Sequence, residues 1–242
     1  MLCGFFIIFN EMFFTINLKK LIIFCLVLII VQLVIFAGIS FSSKKNSPKT
    51  KVVVCIDAGH GGRDGGCVGK TTGAKESDLT LSITKKLASY LKASGMEVVL
   101  TRENENGLYG GGLNKKKEDM EERKRIINKS NCDVVISIHI NSFNDSSVRG
   151  AQVFFDETDD NSKRFAEDIQ KILGDNLPAS KKDVKTGDFF LLKCRDVPSI
   201  LVECGYLSNA EDEALLITES HQEKIAYTLF CGIVKFFNYS YA

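Results

Sequence analysis

From residue 51 onward, short apolar runs rich in β-branched residues alternate with longer runs of helical periodicity. The short runs have the composition of buried strands, and the longer ones repeat apolar residues every three to four positions. This alternation predicts an α/β domain with a mostly parallel sheet and helices on both faces. The predicted strands are 51–57, 96–101, 133–139, 150–155, 188–192 and 199–203, and the predicted helices are 77–94, 118–130, 161–173 and 221–237.

The stretch 21–41 is apolar throughout, with Gln32 as its only strongly polar side chain. About 20 apolar residues are enough for a helix to cross ~30 Å of hydrocarbon, and a cleaved signal peptide usually has a shorter core of ~7–15 residues. We therefore expect a membrane anchor here, with a removed signal segment as the alternative. The apolar stretch 21–41 separates an N-terminal tail (1–20) from a polar linker (42–50). Lysines flank the stretch on both sides, so their distribution predicts no orientation.

Residues 51–242 form one predicted domain, long enough to bury roughly 70% of its unfolded surface. The net charge of +1 gives no strong attraction to nucleic acid, so no such partner is expected. The eight cysteines include no C-x-x-C pair and lie mostly in apolar runs. We interpret them as buried free thiols, with a disulfide as the alternative in an exported protein.

Two of the three histidines lie where predicted strands end. His60 follows the first strand in a glycine-rich turn, and His139 ends the strand 133–139. Sites in α/β domains gather at the carboxyl ends of strands. A hydrolytic zinc takes three protein ligands and keeps one open position, and imidazole suits it well. The pair therefore indicates a metal site, whereas His221, among polar residues at a helix start, is predicted to lie at the surface.

The third ligand is predicted to be a carboxylate. The candidates are Asp57, Asp64, Glu76 and Glu203. Asp57 could instead orient the His60 ring by bonding to it. Glu76 could instead be an acid in the first turn of a helix, where the helix dipole stabilises negative charge. Glu203 lies in the apolar run SILVECGYL, where a charge is costly unless it is paired or used in catalysis. Because side chains alternate along a strand, Glu203 and Cys204 are expected on opposite faces of the sheet.

The motifs IDAGHGGRDGG, KESDLTL, TR, ISIHIN, GAQVFF and ILVECGYLSN occur in this order. Together they resemble the zinc-dependent N-acetylmuramoyl-L-alanine amidases, and the resemblance covers essentially residues 51–237. It implies a single α/β/α domain around a mostly parallel sheet of about six strands. It also implies one Zn²⁺ per chain held by His60, Glu76 and His139, with Glu203 as the catalytic acid/base. Ala58 and Cys204 depart mildly from the family pattern without removing a ligand or a proton carrier.

The segment KKKEDMEERKRIIN, residues 115–128, resembles the germination-specific, spore-cortex branch of that family. In this branch the amidase removes the peptide from muramic acid, a deacetylase acts next, and the residue cyclises to muramic-δ-lactam. The resemblance implies a peptidoglycan substrate and functional coupling to a muramic acid deacetylase. It also implies an exported protein, membrane-anchored or secreted, at the extracytoplasmic face or in the intermembrane space of the spore.

Two further residues are candidates for binding substrate. Arg63 follows the glycine turn and could instead be a solvated charge, and Asn141 follows the second histidine and could instead cap a turn. Two other functions stay open from the residues alone. One is a zinc peptidase that cuts within the stem peptide with the same metal ligands. The other is an inactive wall-binding protein, against which the intact set of candidate site residues argues.

Overall fold

The structure is a computed structural model that describes residues 22–29, 32, 51–110 and 113–240. The chain divides into two compact units, Met1–Thr50 and Lys51–Ala242. In the first unit, residues 22–29 and 32 are helical. None of the helices in the described ranges is long and apolar enough to cross a membrane. The predicted anchor 21–41 lies largely outside the described residues, and the predicted tail 1–20 and linker 42–50 lie wholly outside them.

The described part of the second unit contains one six-stranded sheet, in the order β2-β1-β3-β6-β4-β5. The strands are β1 (Val53–Ala58), β2 (Glu97–Leu100), β3 (Val134–Asn141), β4 (Gln152–Phe155), β5 (Lys185–Thr186) and β6 (Ser199–Tyr206). Every neighbouring pair is parallel except β4 and β6, which run antiparallel. The predicted mostly parallel sheet of about six strands is therefore confirmed.

Helices cover both faces of the sheet, as predicted. They are α1 (Glu76–Ala93), α2 (Lys115–Lys129), α3 (Asp160–Asn176), α4 (Ala210–Leu216) and α5 (Glu219–Ser240), with a 3-10 helix at Phe190–Lys193. Even-numbered residues of β1, β3 and β6 pack with α1, α3 and α5 in the main core. Odd-numbered residues of the same strands face α2 and the 3-10 helix, where a smaller apolar cluster forms. The smaller cluster leaves the carboxyl ends of these strands open on the odd face.

Several predicted elements differ from the structure. The predicted strand 188–192 is wrong: most of it lies in the 3-10 helix, and the edge strand is β5, a few residues earlier. The run DFFLL has a strand-like composition, and the composition of a short apolar run does not separate the two conformations. Helix α4 was missed because seven residues show little periodicity. Its signal is Asn209, whose side chain accepts hydrogen bonds from the amides of Glu211 and Asp212.

The described cysteines agree with the prediction of free thiols. All seven that the structure describes are unpaired, and the buried ones are Cys55, Cys132, Cys194 and Cys204. They pack as small apolar side chains in the two clusters.

A buried ion pair joins β1 to α2. Asp57 and Arg123 are 0% and 1% exposed, and Arg123 Nη1 donates to Asp57 Oδ1 over 2.6 Å. Asp57 also accepts hydrogen bonds from the hydroxyls of Thr101 (2.7 Å) and Ser137 (2.5 Å), and Arg123 Nε donates to Asp119 over 2.6 Å. Burial disfavours the charged form of Asp57, but Arg123 and the two hydroxyls outweigh it and lower its pKa to about 2. The pair therefore stays ionised at neutral pH.

Replacing Arg123 with Met should destabilise the domain by about 3–5 kcal/mol, because it leaves a buried carboxylate without a partner. In the wild type, the stabilisation from the Asp57 carboxylate is present above its unfolded pKa and is lost as the pH falls toward about 2. In the variant, burial raises the pKa of Asp57. The difference in unfolding free energy between variant and wild type should therefore shrink as the pH falls and the carboxyl becomes protonated. Urea unfolding at pH 7 and pH 5 measures both effects.

Arg125→Gln is the matched control. Arg125 lies two residues further along α2, is exposed, and among the described residues forms an ion pair only with Glu122. Its replacement should leave the urea midpoint unchanged. Equal losses in the Arg123 and Arg125 variants would contradict a special role for the buried pair.

Candidate active site

Three side chains from different elements converge at the carboxyl edge of the sheet. His60 follows β1, Glu76 begins α1, and His139 lies in β3. Each offers one ligand atom, and the three atoms lie within 4.8 Å of one another. Glu76 Oε1 lies 3.1 Å from His60 Nε2 and 2.9 Å from His139 Nδ1. Two imidazoles and one carboxylate form a donor set that catalytic zinc uses in proteins.

The electrostatics of Glu76 also fit a divalent cation. Its carboxylate is 4% exposed, and Oε1 and Oε2 accept hydrogen bonds from the amides of Ile140 (3.0 Å) and Cys67 (2.9 Å). Burial opposes ionisation of Glu76, but the two imidazoles hold the pKa of its carboxyl well below the usual range. Burial lowers the pKa of His60, yet Glu76 and Asp64 outweigh it and raise that pKa. The site therefore attracts positive charge.

The backbone at His60 is held in an uncommon conformation. Its φ is +62°, in the left-handed region that residues other than glycine rarely adopt. Two buried arginines hold the carbonyls around it. Arg102 donates to the carbonyls of Ala58 and Gly59, both over 2.9 Å. Arg123 donates to the carbonyls of Ala58 (2.7 Å) and His60. These bonds satisfy buried acceptors and stabilise the turn that directs the His60 ring.

Gly59 lets the two histidines approach each other. A Cβ at this position would lie 2.4 Å from Cε1 of His139. The rings of His60 and His139 lie edge to face, with centroids 5.0 Å apart. A larger residue at Gly59 would therefore displace one of the candidate ligands.

The side chain beside the His60 ring is Asp64 rather than Asp57. Asp64 Oδ2 lies 2.9 Å from His60 Nδ1, which leaves Nε2 directed at Glu76. The left-handed turn explains this, since it reverses the chain and pairs Gly61 with Asp64 through backbone hydrogen bonds. Asp57 binds Arg123 and two hydroxyls, so it does not take the alternative role of holding the His60 ring.

Glu203 lies on β6 directly opposite His139 in the parallel register with β3, so both side chains are on the odd face. Its Oε2 is buried and has no hydrogen-bond partner among the described residues. Burial raises the pKa of Glu203 to about 7, and the charge of Glu76 acts in the same direction. A carboxyl with a pKa near neutrality suits general acid/base catalysis. Cys204 packs in the main core on the other face, as its strand position predicts.

A cleft of about 660 Å³ opens above these groups and is lined by His60, His139, Glu203 and Arg63 among others. Asn141 is not part of its lining. The Asn141 side chain accepts a hydrogen bond from the amide of Ser142 over 2.8 Å, as a turn cap does, and substrate binding by Asn141 stays a prediction. His221 is half-buried rather than at the surface, and it lies with Cys204 beside a separate small cavity.

Sequence reasoning missed Arg123, because α2 is charged along most of its length. One signal could have found it. Arg123 lies four residues before Ile127, and these two are the buried residues of the helix, so they share the face that packs on the sheet.

Comparisons with known proteins show the family of this chain. The model of the Amidase_3 family, described as N-acetylmuramoyl-L-alanine amidase, matches residues 54–235. The germination-specific N-acetylmuramoyl-L-alanine amidase of Bacillus subtilis (strain 168) is 32% identical over 195 residues, which cover 78% of this chain and 81% of that protein.

Solved structures give the same result. The CwlD amidase from Clostridioides difficile, in complex with the GerS lipoprotein, has a TM-score of 0.75 and 38% identity and covers 78% of this chain and 99% of that chain. The catalytic domain of CwlV, an N-acetylmuramoyl-L-alanine amidase from Bacillus (Paenibacillus) polymyxa var. colistinus, has a TM-score of 0.67 and 31% identity and covers 77% of this chain and 98% of that chain. Because the family match spans the whole cleft, this chain belongs to the N-acetylmuramoyl-L-alanine amidase family and is an amidase that acts on peptidoglycan.

Proposed function

We propose that this amidase is zinc-dependent and cleaves the amide between the lactyl group of N-acetylmuramic acid and L-alanine. His60, Glu76 and His139 would hold one zinc ion per chain. The observation that carries this proposal is the convergence of three ligand atoms within 4.8 Å beside a cleft that also contains Glu203. When bound there, zinc supplies Lewis-acid chemistry that activates water at neutral pH and polarises the scissile carbonyl.

Glu203 is the proposed proton carrier. Its carboxylate accepts a proton from the attacking water and then donates it to the nitrogen of L-alanine as the carbon–nitrogen bond breaks. The products are a free lactyl carboxylate on the glycan and a peptide with a new amino terminus. The pKa of about 7 lets the carboxyl accept and release a proton near neutral pH. The unpartnered Oε2 is the atom available for this transfer.

The chain's own residues also prepare the site for substrate. Asp64 and the carbonyl contacts of Arg102 and Arg123 keep the His60 ring in one orientation. Glu76 is held through hydrogen bonds to both carboxylate oxygens. Groups held this way need little rearrangement when substrate arrives, which favours catalysis.

We also infer a role in the spore cortex, where removal of the stem peptide would precede deacetylation and formation of muramic-δ-lactam. The similarity to the germination-specific amidase of Bacillus subtilis supports this role. The similarity to CwlD, solved with the GerS lipoprotein, supports a lipoprotein partner as well. The proposed location is outside the cytoplasm, with 21–41 as a membrane anchor or a removed signal.

Family membership favours this function over the two alternatives. A peptidase cutting within the stem would release a new amine on an internal residue, whereas the proposed enzyme releases one on L-alanine. An inactive wall-binding protein would release neither. The mass and N-terminal residue of the released peptide separate the three.

Glu203→Gln should keep zinc bound and lower kcat by ~10²–10⁴, because the amide preserves the shape of the side chain but cannot carry the proton. Release of L-alanine-headed peptides from purified peptidoglycan measures the rate. Cys204→Ala is the control one residue away: its side chain packs in the core on the other face, so turnover should stay within a few-fold of wild type. Wild-type turnover by the Glu203 variant would exclude this glutamate as the catalyst.

The purified chain should contain close to one zinc. His60→Ala and His139→Ala should each lower zinc affinity by more than the ~10–100-fold typical of losing a residue that only orients a ligand. Asp64→Asn should fall in that smaller range, since Asp64 contacts the His60 ring rather than the shared ligand position. His221→Ala is the control, because this histidine lies beside a different cavity. Full zinc occupancy in the His60→Ala, His139→Ala double variant would contradict the proposed metal site.

Spores that lack this chain should contain no muramic-δ-lactam in their cortex. The wild-type chain should restore the lactam, and the Glu203→Gln variant should not. Muropeptide analysis of digested cortex measures this. Normal lactam in the deficient spores would contradict the cortex role and leave the amidase activity standing.

A further inference from the structure

The two walls of the active-site cleft differ in charge. One wall is formed by residues 189–192, all four of which line the cleft with apolar side chains: Phe189, Phe190, Leu191 and Leu192. A second part of the lining, the basic wall, carries Arg63, Lys115 and Lys116. Only the second wall can attract an anionic part of a substrate.

The basic wall is organised around Tyr109. Tyr109 Oη accepts a hydrogen bond from the backbone amide of Arg63 over 2.9 Å. Lys115 Nζ lies 5.3 Å from the centre of the Tyr109 ring. Burial raises the pKa of the Asp64 carboxyl, but the hydrogen bonds that it accepts and the charges of His60 and Lys116 outweigh burial and lower that pKa, so Lys116 lies near Asp64. The three cations thus lie together on the His60 side of the cleft.

Apart from the catalytic candidate Glu203, the acidic groups that line the cleft already have partners. Asp57 and Asp119 bind Arg123, and Asp64 lies beside His60. Among the described residues, none of the three cations on the basic wall has a carboxylate within 4 Å of its nitrogen atoms. They are therefore the unneutralised charges of the cleft, exposed or half-buried and available to a ligand.

The stem peptide offers a matching anion. In peptidoglycan the residue after L-alanine is a D-glutamyl residue, whose α-carboxylate is free unless it has been amidated. Two extended residues span at most ~7 Å, so this carboxylate lies within that distance of the scissile amide. With the amide placed beside His60, the carboxylate would lie on the same side of the cleft as the basic wall.

We propose that Arg63, Lys115 and Lys116 form a subsite for the free glutamyl carboxylate of the stem peptide, and that this subsite makes the enzyme prefer unamidated stems. The stem then runs along the Tyr109 side of the cleft, and the glycan lies against the apolar wall at Phe189 and Phe190. This inference rests on the proposed function, because it takes the position of the scissile amide from the candidate metal site.

The test compares two soluble glycan strands that differ in one group, one with L-Ala–D-isoglutamate stems and one with L-Ala–D-isoglutamine stems. The full-length chain should cleave the isoglutamate strand with a kcat/KM about tenfold higher at low salt. The preference should shrink as salt is added, since exposed charges are screened. The triple variant Arg63→Gln, Lys115→Gln, Lys116→Gln should raise KM for the isoglutamate strand about tenfold at unchanged kcat.

The isoglutamine strand is the reference substrate: in the triple variant the ratio of kcat/KM between the isoglutamate and isoglutamine strands should fall to about one, whereas a general folding defect would slow both strands and leave the ratio unchanged. Lys117→Gln is the matched control variant, since Lys117 is exposed on the same helix but does not line the cleft, and it should keep the full preference. Equal cleavage of both strands by the wild type, or equal slowing of both by the triple variant, would overturn the subsite. Failure of the wild type to cleave either strand would overturn the proposed function, and the subsite with it.

Discussion

The buried pair of Asp57 and Arg123 determines how the first strand turns into the active site. Arg123 reaches across from α2 to the Asp57 carboxylate and to the carbonyls of Ala58 and His60. Arg102 binds the carbonyls of Ala58 and Gly59 from the other side. A left-handed residue other than glycine costs roughly 1–3 kcal/mol. At His60 this cost is offset by hydrogen bonds that the buried carbonyls would otherwise lack.

The strand order explains why His139 and Glu203 lie at the same edge of the sheet as His60. The chain leaves β1 toward β2 on one side and returns to β3 on the other, so the sheet reverses its winding direction between β1 and β3. Ligand sites in α/β sheets form at such a point. The neighbouring strand β6 adds Glu203 beside His139. Since side chains alternate, these strands pack the main apolar core on one face and place His139 and Glu203 on the other face, near their carboxyl ends.

Two buried carboxyls then acquire opposite properties from their surroundings. Glu76 meets two imidazoles and two backbone amides, so it stays ionised despite burial. Glu203 has a buried oxygen without a hydrogen-bond partner among the described residues, and burial raises its pKa to about 7. Such a division is how enzymes separate the roles of neighbouring carboxyl groups. One is suited to hold a cation and the other to carry a proton.

The sequence alone determined what depends on local periodicity. It predicted the alternating elements, the mostly parallel sheet, and the opposite facing of Glu203 and Cys204, because these follow from repeats of 3.6 and 2 residues. The residue types and spacing left four carboxylates open as the third ligand, of which the family resemblance selected Glu76, and they allowed Asp57 the place beside the His60 ring that Asp64 takes. Only the tertiary structure decided these points, along with the burial of Arg123. Each depends on contacts between residues far apart in the chain, such as the 66 positions that separate Asp57 from Arg123.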